Sequence, residues 1–478
     1  MVNLDKDLRS IQEVRDLVSR AKEAQKSFSK LDQASINKVV DVLAKAAFEN
    51  AEKLAKMANE ETGFGKWQDK KAKNVLASEK LNAYMKDMKT VGILNEDAEK
   101  KVVEIGVPMG VIAGLIPSTN PTSTVIYKTL ISLKAGNSIV FSPHPSALRC
   151  ISETVSVLKE ACIKANVSAD LVSCISIPTM EAVDVLMKHD DVNMILATGG
   201  SAMVKAAYSS GTPALGVGPG NVPAFIERTA DVKVAVEKIM RSKGFDYGTV
   251  CVSEQSIIVE TCNEDKARQA IIDNGGFFLK GQALEKVKAI MERPNGGMNP
   301  AIVGRSAQYI ADMAGIEIPD GTTLLLSDEP GVGRKHPFSK EKLTQLMGFY
   351  VVNDWKEACE LCIQLLENGG LGHTLSLHSN DEDVIRAFAL AKPVSRFLVN
   401  TPSTHGAVGL STGLAPSFTL GCGTVGGSAT SDNVTPLNLI NKRAMAYGLE
   451  TETPAPVKEE ENIDIDAICA MVMEALSK

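Results

Sequence analysis

Gly110-Val-Ile-Ala-Gly-Leu-Ile116 runs directly into Pro117-Ser-Thr-Asn-Pro-Thr-Ser-Thr124. The first segment is apolar without alternation, as a strand buried on both faces must be. The second is a polar turn that opens a helix over about 123–135. Ser138-Ile-Val-Phe141 reads as the next strand, ending in Ser142-Pro-His-Pro145, and a helix follows over about 146–165. Strand, turn, helix and strand again is the punctuation of a parallel α/β sheet. In such sheets ligands gather at the carboxyl ends of the strands.

The pattern extends both ways. Residues 3 to about 90 are helical by spacing, with Leu8, Ile11, Val14 and Leu17 on one face and Ile36, Val39, Leu43 and Ala47 on another. Residues 101–108 alternate like an exposed strand. Downstream, 172–177 and 194–197 read as strands and 181–189 as a helix. Thr198-Gly-Gly-Ser201 then opens a helix over 202–209. Glycines at such a turn let backbone N–H groups approach a phosphate. There is no clean Gly-x-Gly-x-x-Gly, and Gly421-Cys-Gly-Thr-Val-Gly-Gly427 reads as a flexible glycine-rich loop, so the usual dinucleotide fingerprint is missing. Leu215-Gly-Val-Gly-Pro-Gly220 reads as a glycine-rich crossover between two domains. A second α/β set follows, with strands over 222–226, 256–259, 323–326, 349–352, 374–378 and 396–399.

Within that second set lies Gly244-Phe-Asp-Tyr-Gly-Thr-Val-Cys-Val-Ser-Glu-Gln-Ser256. Cys251 sits among small and polar residues just before an apolar run, where a thiol can serve as a nucleophile. It is one of nine cysteines, and most cysteines are small buried hydrophobes. Cys359 and Cys362 form a Cys-x-x-Cys only in letter, within a helical run. Six histidines without clustered ligands argue against a metal. A chain of 478 residues has room for two or three domains, and a net charge of −7 argues against nucleic acid. No apolar run is long enough for a membrane span and no secretory pattern opens the chain, so a reducing, cytoplasmic setting is expected.

Five motifs in order carry a resemblance: Pro117-Ser-Thr-Asn-Pro-Thr-Ser-Thr124, Phe141-Ser-Pro-His-Pro145, Ala197-Thr-Gly-Gly200, Gly216-Val-Gly-Pro-Gly-Asn221 and Val250-Cys-Val-Ser-Glu-Gln-Ser256. Over about 5–445 the chain resembles the aldehyde dehydrogenase superfamily, in its CoA-acylating branch. The resemblance implies an α/β fold with a Rossmann-type cofactor domain, an α/β catalytic domain and a small β oligomerisation flap. It places the helices and NAD-binding domain at 1–220, with a strand near 100–108 joining the flap, the catalytic domain at 221–416, and the return segment and flap at 417–449. It implies that Cys251 attacks a short aldehyde, propionaldehyde or acetaldehyde, and that hydride passes to NAD to leave a thioester. Asn120 would hold the oxyanion with the Cys251 N–H; one such donor is worth about 3 to 4 kcal/mol. Taken alone, Asn120 also fits an Asn-Pro turn.

Departures from the pattern matter as much. Hydrolytic members carry a glutamate in Glu-Leu-Gly-Gly. Here the segment is Leu215-Gly-Val-Gly-Pro219, and Gly216 stands at its place. Without that base the second nucleophile is expected to be the CoA thiol, giving acyl-CoA. The cofactor candidates are Ser118, Thr119, Ser142, Pro143, His144, Thr198, Gly199, Gly200, Gly216, Gly218 and Glu341. Ser142 replaces the lysine of hydrolytic members, Thr198–Gly200 would meet the pyrophosphate and Glu341 the nicotinamide ribose. His373 is read as structural or near the CoA path, and Thr249 and Phe418 suggest a small substrate pocket.

The tail differs in composition. Residues 450–462 form a charged, Pro-containing linker, and 463–478 an amphipathic helix with Ile465, Ile468, Cys469, Val472 and Leu476 on one face. Residues 451–478 hold seven acids against two lysines, which disfavours an anionic membrane. The tail resembles encapsulation peptides, implying shell proteins of a bacterial microcompartment as partners and location inside it; the alternative is a helix packed on its own dimer or tetramer. Rival readings of the whole chain are a hydrolytic dehydrogenase and a non-catalytic cargo adaptor.

Overall fold

A computed structural model describes residues 5–293, 297–449 and 465–477. Its strands, in chain order, are β1 (Gly92–Asp97), β2 (Val102–Pro108), β3 (Val111–Leu115), β4 (Ser138–Ser142), β5 (Val172–Cys174), β6 (Val192–Thr198) and β7 (Ala214–Val217). There follow β8 (Val222–Ile226), β9 (Glu254–Glu260), β10 (Gly276–Phe278), β11 (Leu324–Asp328), β12 (Leu346–Val352), β13 (Gly372–His378), β14 (Val394–Val399) and β15 (Ile440–Ala446).

β3 to β7 make a five-stranded sheet in the order β5-β4-β3-β6-β7, and all its pairings are parallel. Its direction of growth reverses between β3 and β6, which opens a crevice there. Residues of one strand serve two cores. Ile112, Ile139 and Leu196 pack with the helices Gln33–Glu49, Pro121–Lys134 and Leu148–Lys164, whereas Val111, Ala113, Val140 and Ile195 pack with Lys6–Phe28 and Met180–Lys188. That two-sided burial is why these strands read as unbroken apolar runs.

The second sheet has seven parallel strands, β10-β11-β12-β9-β8-β13-β14, again with a core on each face. β1, β2 and β15 form a separate antiparallel sheet. β15 joins the end of the body to the register of β2, pairing Ile440 with Pro108 and Ala446 with Val102.

Several boundaries differ from the sequence expectation. The expected crossover loop at 215–220 begins as strand: Ala214–Val217 pairs with β6. Gly216 is a packing glycine within it, because a Cβ there would lie 2.7 Å from Val204 Cγ1 and 2.9 Å from the Tyr208 ring. The strand expected at 172–177 stops at Cys174. β1, β10 and the helices Gly281–Met291, Ala307–Ala314 and Glu382–Ala391 were not anticipated. They lie at the edges of their layers, where periodicity is diluted by exposed polar positions.

The tail helix spans Ile465–Leu476, and Ile465, Ile468, Met471, Val472 and Leu476 are all exposed on it. The whole of the expected linker, 450–462, and the first two residues of the expected helix lie outside the described residues.

Candidate active site

The carboxyl ends of the first sheet face the amino ends of the second, and one cavity lies between them. From the first sheet come Pro117–Asn120 after β3, His144 after β4, Thr198–Gly200 after β6 and Val217–Pro219 at the end of β7. From the second come Thr249–Cys251 before β9 and Glu341 and Leu343 before β12. Val408, Phe418 and Leu420 close the wall, and the cavity is about 260 Å³.

Of the residues singled out from sequence, Ser118, Thr119, Asn120, His144, Thr198, Gly199, Gly200, Gly218, Cys251 and Glu341 line this cavity, as do Thr249 and Phe418. Ser142, Pro143 and Gly216 do not. Ser142 is buried at the end of β4, where its carbonyl accepts from Ile116 N at 3.1 Å. Gly216 opens instead on a neighbouring cleft with Val204, Tyr208 and Gly426. Its N–H donates to the Tyr208 hydroxyl at 2.9 Å, and its carbonyl accepts from Ser428 Oγ at 2.8 Å.

Cys251 is half-buried at the end of a strained turn. Asp246 and Tyr247 both hold left-handed backbone, with φ of 49° and 50°, and Gly248 follows at 74°. Two adjacent non-glycine residues in that region cost on the order of 1–3 kcal/mol each and persist only where their surroundings hold them. The holding group is the Asp246 side chain. Its Oδ1 accepts from Lys66 N at 2.8 Å; its Oδ2 accepts from Lys70 Nζ at 3.0 Å, Thr249 Oγ1 at 2.7 Å and Lys73 Nζ. Burial alone would raise this carboxyl, but Lys70 and Lys73 override it and keep it below the ordinary carboxylate range. Burial brings Lys73 down to about 8 against the pull of Asp246.

Asn120 caps the helix Pro121–Lys134 through its backbone, and its side chain makes no cap bond. The amide is committed elsewhere: Nδ2 donates to Thr249 O at 2.9 Å, and Oδ1 accepts from Lys73 Nζ at 2.6 Å. The helix cap therefore makes no claim on the amide, which is held against the Cys251 loop at the cavity wall.

Burial pushes the Cys251 thiol up to about 12; Glu341 and Cys422 add to this, and Arg396 opposes it. Arg396 is buried and donates to His373 O at 3.0 Å and to Gly421 O, tying the glycine-rich loop to the edge of the site. Burial also raises Glu341 to about 7, and its Oε1 accepts from Gly220 N at 2.9 Å. His373 Nε2 is buried without a partner, and burial first, then Arg396, holds the ring neutral. A Cβ on Gly220 would stand 2.0 Å from Cys251 O and 3.3 Å from His373 Cδ2, so backbone and ring approach there as closely as only glycine allows.

The residues present fit a dinucleotide. Thr198 Oγ1 is buried without a partner beside the cavity, and the helix Ser201–Tyr208 starts directly behind Gly200 with its N–H groups toward the crevice. Among the described residues no group of three or more His, Cys, Asp or Glu is placed to hold a metal. No helix among them is long and apolar enough to cross a membrane.

The Lys70–Lys73–Asp246 cluster escaped the sequence reading. Lysines three apart on a helix look like a solvated face, and Asp246 lies 173 residues from Lys73.

Residues 8–285 match the model of the aldehyde dehydrogenase family. The chain is 42% identical over 447 residues to the bifunctional aldehyde-alcohol dehydrogenase AdhE of Escherichia coli K12, covering 92% of this chain and 50% of that protein. It thus spans about half the length of the first curated relatives it matches. It is 35% identical to the succinate-semialdehyde dehydrogenase (acetylating) of Clostridium kluyveri, over 94% of this chain and 98% of the other. Among solved structures, an acetylating aldehyde dehydrogenase from Geobacillus thermoglucosidasius superposes with TM-score 0.92 at 49% identity, covering 94% and 99% of the two chains. A propionaldehyde dehydrogenase from the Clostridium phytofermentans fucose utilisation bacterial microcompartment gives TM-score 0.83 at 26% identity, covering 91% and 97%.

Proposed function

The chain belongs to the aldehyde dehydrogenase family, and on that footing we propose that it is a CoA-acylating aldehyde dehydrogenase that converts a short-chain aldehyde, NAD and CoA into acyl-CoA and NADH. One observation carries this reading: Cys251 and Asn120 line one cavity, while Gly216, where the resemblance puts the hydrolytic glutamate, lies outside it and is backed by Val204 and Tyr208. Similarity to acetylating relatives supports it.

Cys251, as thiolate, adds to the aldehyde carbon, and the carbonyl pair moves to oxygen. Asn120 Nδ2 and the Cys251 N–H stabilise that oxyanion. Thr198–Gly200 and Glu341 would hold NAD, which would supply the hydride acceptor. Loss of hydride re-forms the carbonyl and leaves a thioester on Cys251. CoA thiolate then adds to that carbon and the Cys251 thiolate departs, so one thioester replaces another and the enzyme is restored. A thiol does this without a carboxylate base, whereas water would need one.

Substrate, oligomer and location form part of the same proposal. Thr249 and Phe418 on the wall favour a short aldehyde such as propionaldehyde or acetaldehyde. The β1-β2-β15 sheet is the surface for a homo-oligomer, dimer or tetramer. The exposed tail helix is an encapsulation peptide for microcompartment shell proteins, a reading supported by its apolar face and by a microcompartment relative.

NADH formation with and without CoA tests the activity. Without CoA we expect a burst of about one NADH per Cys251 and then arrest; with CoA, steady turnover. Full turnover without CoA would refute the acylating reading.

A further inference from the structure

We infer that Lys73 is a positioning residue for the oxyanion donor: its ammonium fixes the orientation of the Asn120 amide and locks that amide to the loop carrying Cys251. The inference deepens the proposed activity and rests on Asn120 having the role given above.

The chemistry of the partners leaves one arrangement. An ammonium is a donor only, so the atom 2.6 Å from Lys73 Nζ must be the amide oxygen of Asn120. A backbone carbonyl is an acceptor only, so the atom 2.9 Å from Thr249 O must be the amide nitrogen. The two contacts demand the same orientation. One N–H of Nδ2 is spent on Thr249; Nδ2 also makes a longer contact, 3.3 Å, with Oγ1 of Thr119, a residue that lines the cavity with Asn120. A cation on the oxygen also draws electron density from the amide, which strengthens its N–H as a donor.

Lys73 is itself immobilised. It is 3% exposed, and its carboxylate partner Asp246 is fully buried. Asp246 belongs to the left-handed turn that leads into Cys251, and Asn120 to the loop after β3. Lys73 lies on a third segment, the helix Trp67–Val75. One ammonium thus ties the oxyanion donor and the nucleophile's loop to a common support. Lys70 shares Asp246 but reaches Thr119 O at 3.1 Å instead of the Asn120 side chain. It serves as an internal comparison.

The test is a double-mutant cycle read in steady-state NADH formation with saturating CoA. Lys73→Met keeps the chain length and leaves Asp246 paired with Lys70, so the protein should fold; matching melting curves verify this. Asn120→Ala is expected to lower kcat by about 10²–10³-fold. Lys73→Met should lower kcat by about 10-fold or more, with the aldehyde KM within about 3-fold. In the Asn120→Ala background, Lys73→Met should cost nothing further, whereas any effect of Lys70→Met should be the same in both backgrounds. An equal loss from Lys73→Met in both backgrounds would make it a structural residue and overturn the inference. So would unchanged kcat in Lys73→Met while Asn120→Ala is crippled. If Asn120→Ala itself were fully active, the oxyanion reading under the proposed function would fall, and with it what Lys73 positions. Should Lys73→Met not fold, Lys73→Leu, which also lacks a donor, replaces it in the same cycle with the same outcomes.

Discussion

Gly220→Ala is the sharpest perturbation the site offers, because one methyl group meets the backbone of Cys251, the proposed nucleophile. The new Cβ would lie 2.0 Å from Cys251 O, where real contacts essentially never fall below 3.0 Å. A shift of about 1 Å is therefore forced on one side or the other. Gly220 has little freedom to take it up: its N–H is held by Glu341 Oε1 at 2.9 Å, and the next side chain, Asn221, is buried and donates at 2.7 Å to both Ser339 O and Leu365 O. On the far side the Cβ already meets His373 at 3.3 Å. The displacement falls on Cys251. A misplacement of about 1 Å costs about 10²-fold in rate, or about 2.7 kcal/mol of transition-state stabilisation. We expect kcat for CoA-dependent NADH formation to fall by that factor, with slower alkylation of Cys251 by iodoacetamide and little change in the melting temperature. Gly413→Ala, whose Cβ would meet nothing within 4 Å, is the matched control and should be indistinguishable from wild type. A Gly220→Ala enzyme with native melting behaviour and kcat within about three-fold of wild type would refute the argument that this contact sets the nucleophile's position.

Two further outcomes follow from other parts of the molecule. Burial raises the Glu254 carboxyl from 4.5 to about 7. A raised acid contributes stability that is fully present below its unfolded value and lost as pH rises through its folded one. Relative to Glu254→Gln, wild type should thus lose about 1–3 kcal/mol between pH 5 and 8, read as a pH-dependent difference in melting temperature; a difference that does not vary with pH would contradict this. Deleting 451–478 should leave turnover and melting unchanged and abolish co-purification with shell proteins, whereas loss of folding would favour a tail packed on its own oligomer.

The parallel sheets could be read from the chain because burial on both faces removes polar alternation, as in Gly110–Ile116 and Ser138–Phe141. Cys251 and Asn120 could be singled out because each lies in a short motif that carries the family resemblance, and the two line one cavity. Apolar runs and motifs are local properties, and a linear chain carries them in full. Other features depend on which residues meet across long separations. Gly216 looked like a loop glycine until Tyr208 was found packed on it. Lys70, Lys73 and Asp246 carry no motif that would single them out, yet they converge in a buried cluster that grips both Asn120 and the turn before Cys251. Gly220 acquired its meaning only when the amino end of β8 was laid against Cys251 O. A sequence specifies periodicity and side-chain chemistry; distance, burial and the neighbours of a charge arise only when the segments pack.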